Sequence, residues 1–416
     1  MLWGRMTIAP TSKYAISFVF ITVLLDMVGF GLIIPVQPAL IGSVAHVDVA
    51  AATIIGGWMF FAFSFGQFLL GPTLGNLSDA FGRRPLLLMA VFGLGCDYLI
   101  TALAPSVGWL FVGRTLAGIL GSSYVIANAF ISDITPPEGR AKAFGLMGAA
   151  FGLGFVIGPA IGGLLGAFGP RVPFFVAAAI SALNFVFGYF VLPETLPKEK
   201  RRTFDWARAN PVGTFKIFAR YPQVMPLCAV LFMYFFATAV YPAIWPFWGT
   251  ARFGWSSAVL GITLAAFGLI MAITQATLAG PIVKRIGEWN AALVGMAACC
   301  LGALFFGLST NLFWVLLILF VHAPESFVQP MLNAIMSKEV PDDAQGELQG
   351  GISSIMNIAM MVGTVFYSQA FGYFMAPNPI FVSSSAGFFI AFGLVAITLL
   401  YLLHAKIRTA QFSHQP

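Results

Sequence analysis

The chain has 416 residues, of which 59% are hydrophobic and only 9% are Asp, Glu, Lys or Arg, whereas a soluble domain carries about 25% charged residues. No soluble core hides that much apolar surface, so lipid must be the solvent. The formal net charge of +6 then reads as a bias between loops rather than as a nucleic-acid surface.

Apolar runs of about 18 residues or more predict spanning helices, and they are too long and unbroken for a β-barrel. In chain order they cover 15–41, 50–76, 85–104, 107–131, 142–168 and 171–192, then 222–249, 256–280, 288–308, 312–337, 345–373 and 378–404. The expected fold is an all-α polytopic membrane protein with twelve transmembrane helices in two six-helix bundles. Residues 1–192 form the first bundle, 193–221 a cytoplasmic linker and 222–416 the second bundle. Of the 21 Lys and Arg residues, eighteen fall on the side of both termini and the linker. Only Arg171 and Arg252 fall on the other side, and Arg114 lies within a span. That asymmetry predicts cytoplasmic termini. The first run is too long for a cleaved leader and contains Asp26 and Pro35, so it is expected to stay as the first span.

The first span reads LLDMVGFGLIIPVQPAL and places Asp26 near the middle of the bilayer, with Gln37 further along towards the cavity. A carboxyl at that depth is costly when ionised, which suits a proton carrier. The plainer reading is a cap at a helix break beside Gly29 and Gly31. The loop after the second span reads GNLSDAFGRRP. Gly75 would let another helix backbone pass closely, and Asp79 would sit at a helix N-terminus. With Gly82, with Arg83 and Arg84 as fork donors, and with Asp133 at the end of the fourth span, these residues are expected to latch the two halves. The plain alternative is a positive anchor at a tight turn.

Asp97 in the third span is a second proton-coupling candidate, or only a contact to a neighbouring helix. Arg114, deep in the fourth span, is a functional candidate because a charge there is expensive; it is expected to pair with Asp26, or to serve a structural ion pair. Asn128 follows on the same span. The fifth span reads GLMGAAFGLGFVIGPAIGG, with Gly145, Gly154, Gly158, Pro159, Gly162 and Gly163 spaced for close helix packing and a bend. In the seventh span Tyr234, Tyr241, Trp245 and Trp248 fall on one helical face, fit for stacking on a flat substrate or for an interfacial aromatic belt. His322 and Glu325 in the tenth span, at i, i+3, are expected to form a polar patch facing the cavity, with Gln329 beyond them. The pattern is not a metal signature, and no metal site is expected. The four cysteines lie in spans and are expected to be free thiols.

Shifting the chain by 205 positions superposes the halves. Gly75 meets Gly280, Gly82 meets Gly287, Trp109 meets Trp314, Asn128 meets Asn333, and Gly158 meets Gly363. One register over about ninety residues predicts a duplicated bundle, the plan of a rocking transporter.

The loop from Gly75 to Pro85 resembles the signature loop of the major facilitator superfamily. Arg114 followed by Gly118 resembles its fourth-helix motif, and the fifth-span pattern that of its proton antiporters. Together the motifs are similar to the twelve-span drug:proton antiporter family and its tetracycline-efflux branch. That resemblance implies the major facilitator fold and proton-coupled efflux of amphipathic drug-like compounds by alternating access. Asp26, Asp97 and Arg114 stand where that branch carries its first-, third- and fourth-helix charges. Met271 and Cys299 stand where it carries a histidine and an aspartate, so the substrate stays open. The implied setting is the bacterial inner membrane. The expected partners are a small-molecule substrate, protons and the lipid bilayer, with no nucleic acid; the protein is expected to be a monomer without a cofactor, driven by the proton gradient. The alternative is a proton symporter or uniporter for a small metabolite. No nucleophile elbow, metal cluster or phosphate loop appears, so an enzyme is not expected.

Overall fold

The computed structural model describes residues 13–121, 123–204, 213, 215–341, 344–376 and 379–412. Among them every regular element is helical. Ten helices are long and apolar enough to cross a membrane. One of these, Ser257–Leu308, is two spans joined at Gly287, where the backbone leaves helical angles. The fourth span is broken into Val107–Leu120 and Ser123–Ile134, which completes twelve.

The other spans are helices with local breaks. The first runs Lys13–Ile33, a 3-10 turn over Ile34–Val36, then Gln37–Ala45. Val49–Phe81, Arg83–Leu103, Pro137–Leu165 and Val172–Val191 follow. The seventh divides at Ala239 into Met225–Thr238 and Val240–Phe253. The tenth divides into Leu312–His322, a 3-10 stretch Ala323–Phe327 containing Pro324, and Val328–Lys338. Gln345–Met375 and Ala386–Phe412 close the chain. The twelfth span thus begins at Ala386, not at 378, because Pro379 and a run of serines before Ala386 hold the chain in turns, with Ser383 N donating to Phe374 O.

The repeat is visible in the backbone. Gly82 and Gly287, 205 positions apart, both take positive φ, at 109° and 75°, where a side chain is strained. Ser106 and Asn311, at the same spacing, both stand at the N-cap of the helix that follows with extended backbone, and Asn311 also accepts from Trp314 N. Gly158 packs against Val28 and Gly31 of the first span, and Gly363 against Phe236 and Ala239 of the seventh. The two bases on the charge-poor side also match in role. Arg171 donates to the carbonyls of Ala102 and Ala104, and Arg252 to that of Ser309, which closes the C-termini of the third and ninth spans.

Among the described residues the halves pack together towards one end. At the end opposite the basic loops, a side chain added at Gly163 would come within 2.9 Å of Gly261 Cα, and Gly57 packs against Ser368 and Thr364. Small residues let these helices approach without a driving force from water. One apolar core there joins both halves, from Leu32 and Val36 to Trp245 and Phe388. At the basic end each half keeps a separate core, and the Cβ positions of Gly75, Gly145 and Gly280 have no atom within 4 Å.

The linker belongs partly to each half. Residues 193–204 fold back on the first bundle, while Ile217 and Phe218 of the helix Lys216–Arg220 bury against Gly351 of the second. The rest of the 193–221 segment (205–212 and 214) lies outside the described residues. All four cysteines are free.

Candidate functional site

Between the halves lies a cavity of about 350 Å³. Phe30, Gln37, Phe63, Arg114 and Phe155 line it from the first half, and Tyr241, Trp245, Phe247, Phe267 and Thr364 from the second. The break at Ala239 sets the second part of the seventh span so that Tyr241 and Trp245 reach this wall. Trp245 is held by its Nε1 donating to Thr263 Oγ1 at 3.2 Å, and its ring is 6.4 Å from that of Phe267. The result is a fixed aromatic wall that offers flat surface at low entropic cost.

Arg114 is the single charged side chain in the lining. Its Nε and Nη2 both donate to Asp97, which is 0% exposed and also accepts from Thr101 at 3.2 Å. Gly113 makes room, since a Cβ there would lie 2.7 Å from Asp97 Oδ1. The expected partner Asp26 is therefore replaced by Asp97. The third and fourth spans run side by side, whereas Asp26 faces the sixth.

Asp26 is 2% exposed and has no cation beside it among the described residues. Asn184 Nδ2 donates to Asp26 Oδ1 at 3.2 Å and to Thr22 O, and Ser123 at the break in the fourth span also hydrogen-bonds to it. Tyr98 packs beside it against Gly29. Asn184 was readable as the amide side chain midway along an apolar sixth span, and Ser123 by its place after GlySer.

The expected tenth-span patch does not face the cavity. His322 ends one helix and is enclosed by the rings of Tyr241, Phe267 and Phe306, with centroids at 4.9, 5.8 and 5.7 Å. Glu325, displaced by the 3-10 stretch, accepts from Tyr234 OH. The seventh-span stripe is likewise divided: Tyr241 and Trp245 line the cavity, Tyr234 binds Glu325, and Trp248 is core, donating to Ser385 Oγ at 3.1 Å. The break at Ala239 sets Tyr234 apart from the other three, and Trp248, on the same helix as Tyr241 and Trp245, is buried one turn further along. Asn128 and Gln329 also lie outside the lining, Gln329 donating to Met356 Sδ.

The signature loop works within one half. Asp79 is in the last turn of the second span rather than at a helix start, and Arg83 Nη1 pairs with it at 2.5 Å. Arg83 Nε reaches Asp133 at 3.0 Å and Nη1 donates to Ser78 Oγ at 2.6 Å. Arg84 donates to Tyr189 O and lies over that ring. Among the described residues no member of the set pairs with a group of the second half, because the halves are apart at this end; for the same reason none of the described atoms comes within 4 Å of the Gly75 Cβ position. Glu194, not singled out from the sequence, completes the loop. Its Oε1 accepts from Arg83 N at 2.9 Å and from Leu196 N, its other oxygen faces Arg201, and Gly82 leaves space for the carboxyl. Its signal was the acidic residue straight after the sixth span, in PETLP.

In the fifth span Gly154, Gly158 and Gly162 seat the helix on the first span, at Met27, Val28 and Leu32. Pro159 and Gly163 meet Gly261 of the eighth, while Gly145 faces open space. No three His, Cys, Asp or Glu side chains among the described residues converge to hold a metal ion.

Two duplicated bundles, joined at one end around an aromatic cavity, define a secondary transporter that works by alternating access. A family model described as Major Facilitator Superfamily matches residues 19–366. The chain belongs to that superfamily and, within it, to the drug:proton antiporter family with its tetracycline-efflux branch. It is similar to the tetracycline resistance protein, class C, of Escherichia coli, at 38% identity over 86% of this chain and 90% of that one. It is also similar to the class G protein of Vibrio anguillarum, at 35% over 84% and 89%. The crystal structure of the human organic anion transporter MFSD10 shares the fold, with a TM-score of 0.69 and 24% identity over 94% of this chain and 99% of that one.

Proposed function

We propose that this protein exports flat, amphipathic, multi-ring compounds from the bacterial cytoplasm across the inner membrane in exchange for protons. The tetracyclines of its relatives' names are candidate cargo. The observation that carries this is a cavity walled by fixed aromatic rings, with one charged group and one buried, cation-free carboxyl close behind it.

Both termini and the basic loops face the cytoplasm by the distribution of Lys and Arg, so the separated ends make this a cytoplasm-open state. The working unit is a monomer in the lipid bilayer, and the proton gradient is its energy source without a cofactor. Substrate enters between the basic ends and stacks on Tyr241 and Trp245. The fourth span links three stations: Arg114 at the cavity, Ser123 at Asp26, and Asp133 at the Arg83 loop. A substrate that moves this span alters the surroundings of Asp26, and by reciprocity a proton on Asp26 alters substrate affinity. The opposition of the two is antiport. In the other state the basic ends close, with the Gly75 and Gly280 faces brought together.

Met271 and Cys299 put no histidine or carboxylate in the wall, and Cys299 lies behind Tyr241. Apolar stacking rather than ionic contact then dominates selection. A drug-susceptibility panel tests the reading. Cells producing the wild-type protein should tolerate polycyclic amphiphiles that cells producing Asp26→Asn do not. Equal tolerance across the panel would remove the efflux assignment.

A further inference from the structure

Arg252 is the only charged residue at the charge-poor end of the second half. The turns there, 254–256, 309–311 and 376–385, contain no Asp or Glu. The one acid at this end of the first half, Asp48, is engaged as a helix cap, accepting from Ala51 N. A guanidinium carries five N–H donors. Arg252 gives Nε and Nη2 to Ser309 O, at 3.0 and 2.9 Å, and its side chain is exposed. A carbonyl fixes the group in place without neutralising it, so Arg252 keeps both donors and charge for an anion.

Ser309 also lines a groove of about 440 Å³ between the ninth and tenth spans, so the guanidinium stands at the mouth of that groove. Phe305 and Leu308 of the ninth span form one wall, and Trp314, Leu317 and Val321 of the tenth form the other. All five are exposed, which in a spanning bundle means exposed to lipid. Deeper in the membrane the two spans come together, where Gly302 leaves room for His322. The stretch from Trp314 to Val321 covers about 10 Å of helix, which fits within one leaflet of a hydrocarbon core about 30 Å thick. Trp314 sits at the mouth, and tryptophan suits the boundary between headgroups and chains.

We propose that this groove binds one anionic phospholipid of the adjoining leaflet. Its phosphate sits on Arg252, with the exposed hydroxyl of Thr310 beside it, and one acyl chain runs along Trp314, Leu317 and Val321. No acid stands at this end of the second half to receive a headgroup amine, so a net negative headgroup fits better than a zwitterionic one. The occupant is a lipid rather than free phosphate because the cation and the apolar groove are continuous. A lipid seated there ties the last turn of the seventh span, which carries Arg252, to the turn between the ninth and tenth. The site stands independently of the antiport reading.

Quenching of tryptophan fluorescence by lipids with brominated chains reads this contact in the full-length protein. The protein is placed in vesicles of mixed phosphatidylglycerol and phosphatidylcholine, with bromine on the chains of one lipid or the other. The Trp314 signal is the difference between wild type and Trp314→Phe. Brominated phosphatidylglycerol should quench it at about fivefold lower mole fraction than brominated phosphatidylcholine, the preference that one cation near a membrane surface supplies. Arg252→Gln should remove the preference, and Arg252→Lys, which keeps the charge, should retain most of it. Added inorganic phosphate should leave the quenching unchanged. Equal quenching by the two lipids in wild type would overturn the site without recourse to any Arg252 variant. A preference that survives in Arg252→Gln, or that inorganic phosphate abolishes, would overturn it as well.

Discussion

Arg114 on the fourth span holds Asp97 on the third with two donors of its guanidinium while its outer edge faces the cavity. The pair is almost fully buried, with only Arg114 reaching the cavity lining. Removing one member of a buried pair strands the other charge, at a cost of about 3–5 kcal/mol. Arg114→Ala should therefore lower the thermal stability of the purified protein sharply, and adding Asp97→Asn should recover most of it. Transport should stay lost in both. Stability unchanged in Arg114→Ala would mean the pair contributes little to the fold.

Glycines at the two ends of the molecule should behave differently. At Gly158 a Cβ would lie 2.7 Å from Val28 O, and overpacking costs about 1–3 kcal/mol, so Gly158→Val should destabilise the protein. Gly75 faces open space. Gly75→Leu should fold and insert with stability within about 0.5 kcal/mol of wild type yet fail to transport, because the basic ends cannot close. Normal transport by Gly75→Leu would show that no close approach occurs there.

Glu194 accepts two backbone N–H groups, at Arg83 and Leu196. Loss of a cap costs about 1 kcal/mol, so Glu194→Ala should lower thermal stability modestly and free the linker from the signature loop. Faster proteolysis after Arg201 or Arg202 is the check, since both residues are held near Glu194 and Asp79. Unaltered cleavage would mean that the linker is held by something else.

Trp245 and Trp248 are three residues apart but stand in different places. Trp245 lines the cavity, and losing a stacking contact of about 1 kcal/mol should weaken apparent substrate affinity about fivefold in Trp245→Ala. Trp248 is fully buried, and Trp248→Ala should cost about 3–5 kcal/mol of stability instead. Measured side by side, affinity and thermal stability should respond in opposite order for the two variants.

The spans and the duplication were legible because lipid imposes them: twenty apolar residues, small residues at crossings and basic loops need no tertiary knowledge. Gly82 and Gly287 show this, matched by register and then by φ. What the residues alone could not show was partner choice. Arg114 had two carboxyls at similar depth, and only the side-by-side run of the third and fourth spans selects Asp97. Helix breaks were the other blind spot. Without the interruptions at Ala239 and Pro324, Tyr234, His322 and Glu325 would project towards the cavity as Tyr241 and Trp245 do; Trp248, on the same helix as Trp245, is core because it lies one turn nearer the end where the halves pack together. Glu194 was hidden by its position, a loop acid whose role depends on the fold of the signature loop.

In the proposed antiport, Asp26 is the group that couples the proton gradient to substrate movement. Its direct test is substrate accumulation in inverted vesicles carrying a proton gradient, wild type beside Asp26→Asn, with energy-independent substrate exchange measured on the same preparations. The wild type should accumulate substrate above equilibrium, while Asp26→Asn should reach equilibrium only and keep its exchange activity. Accumulation by Asp26→Asn equal to wild type would remove Asp26 from the coupling of protons to substrate.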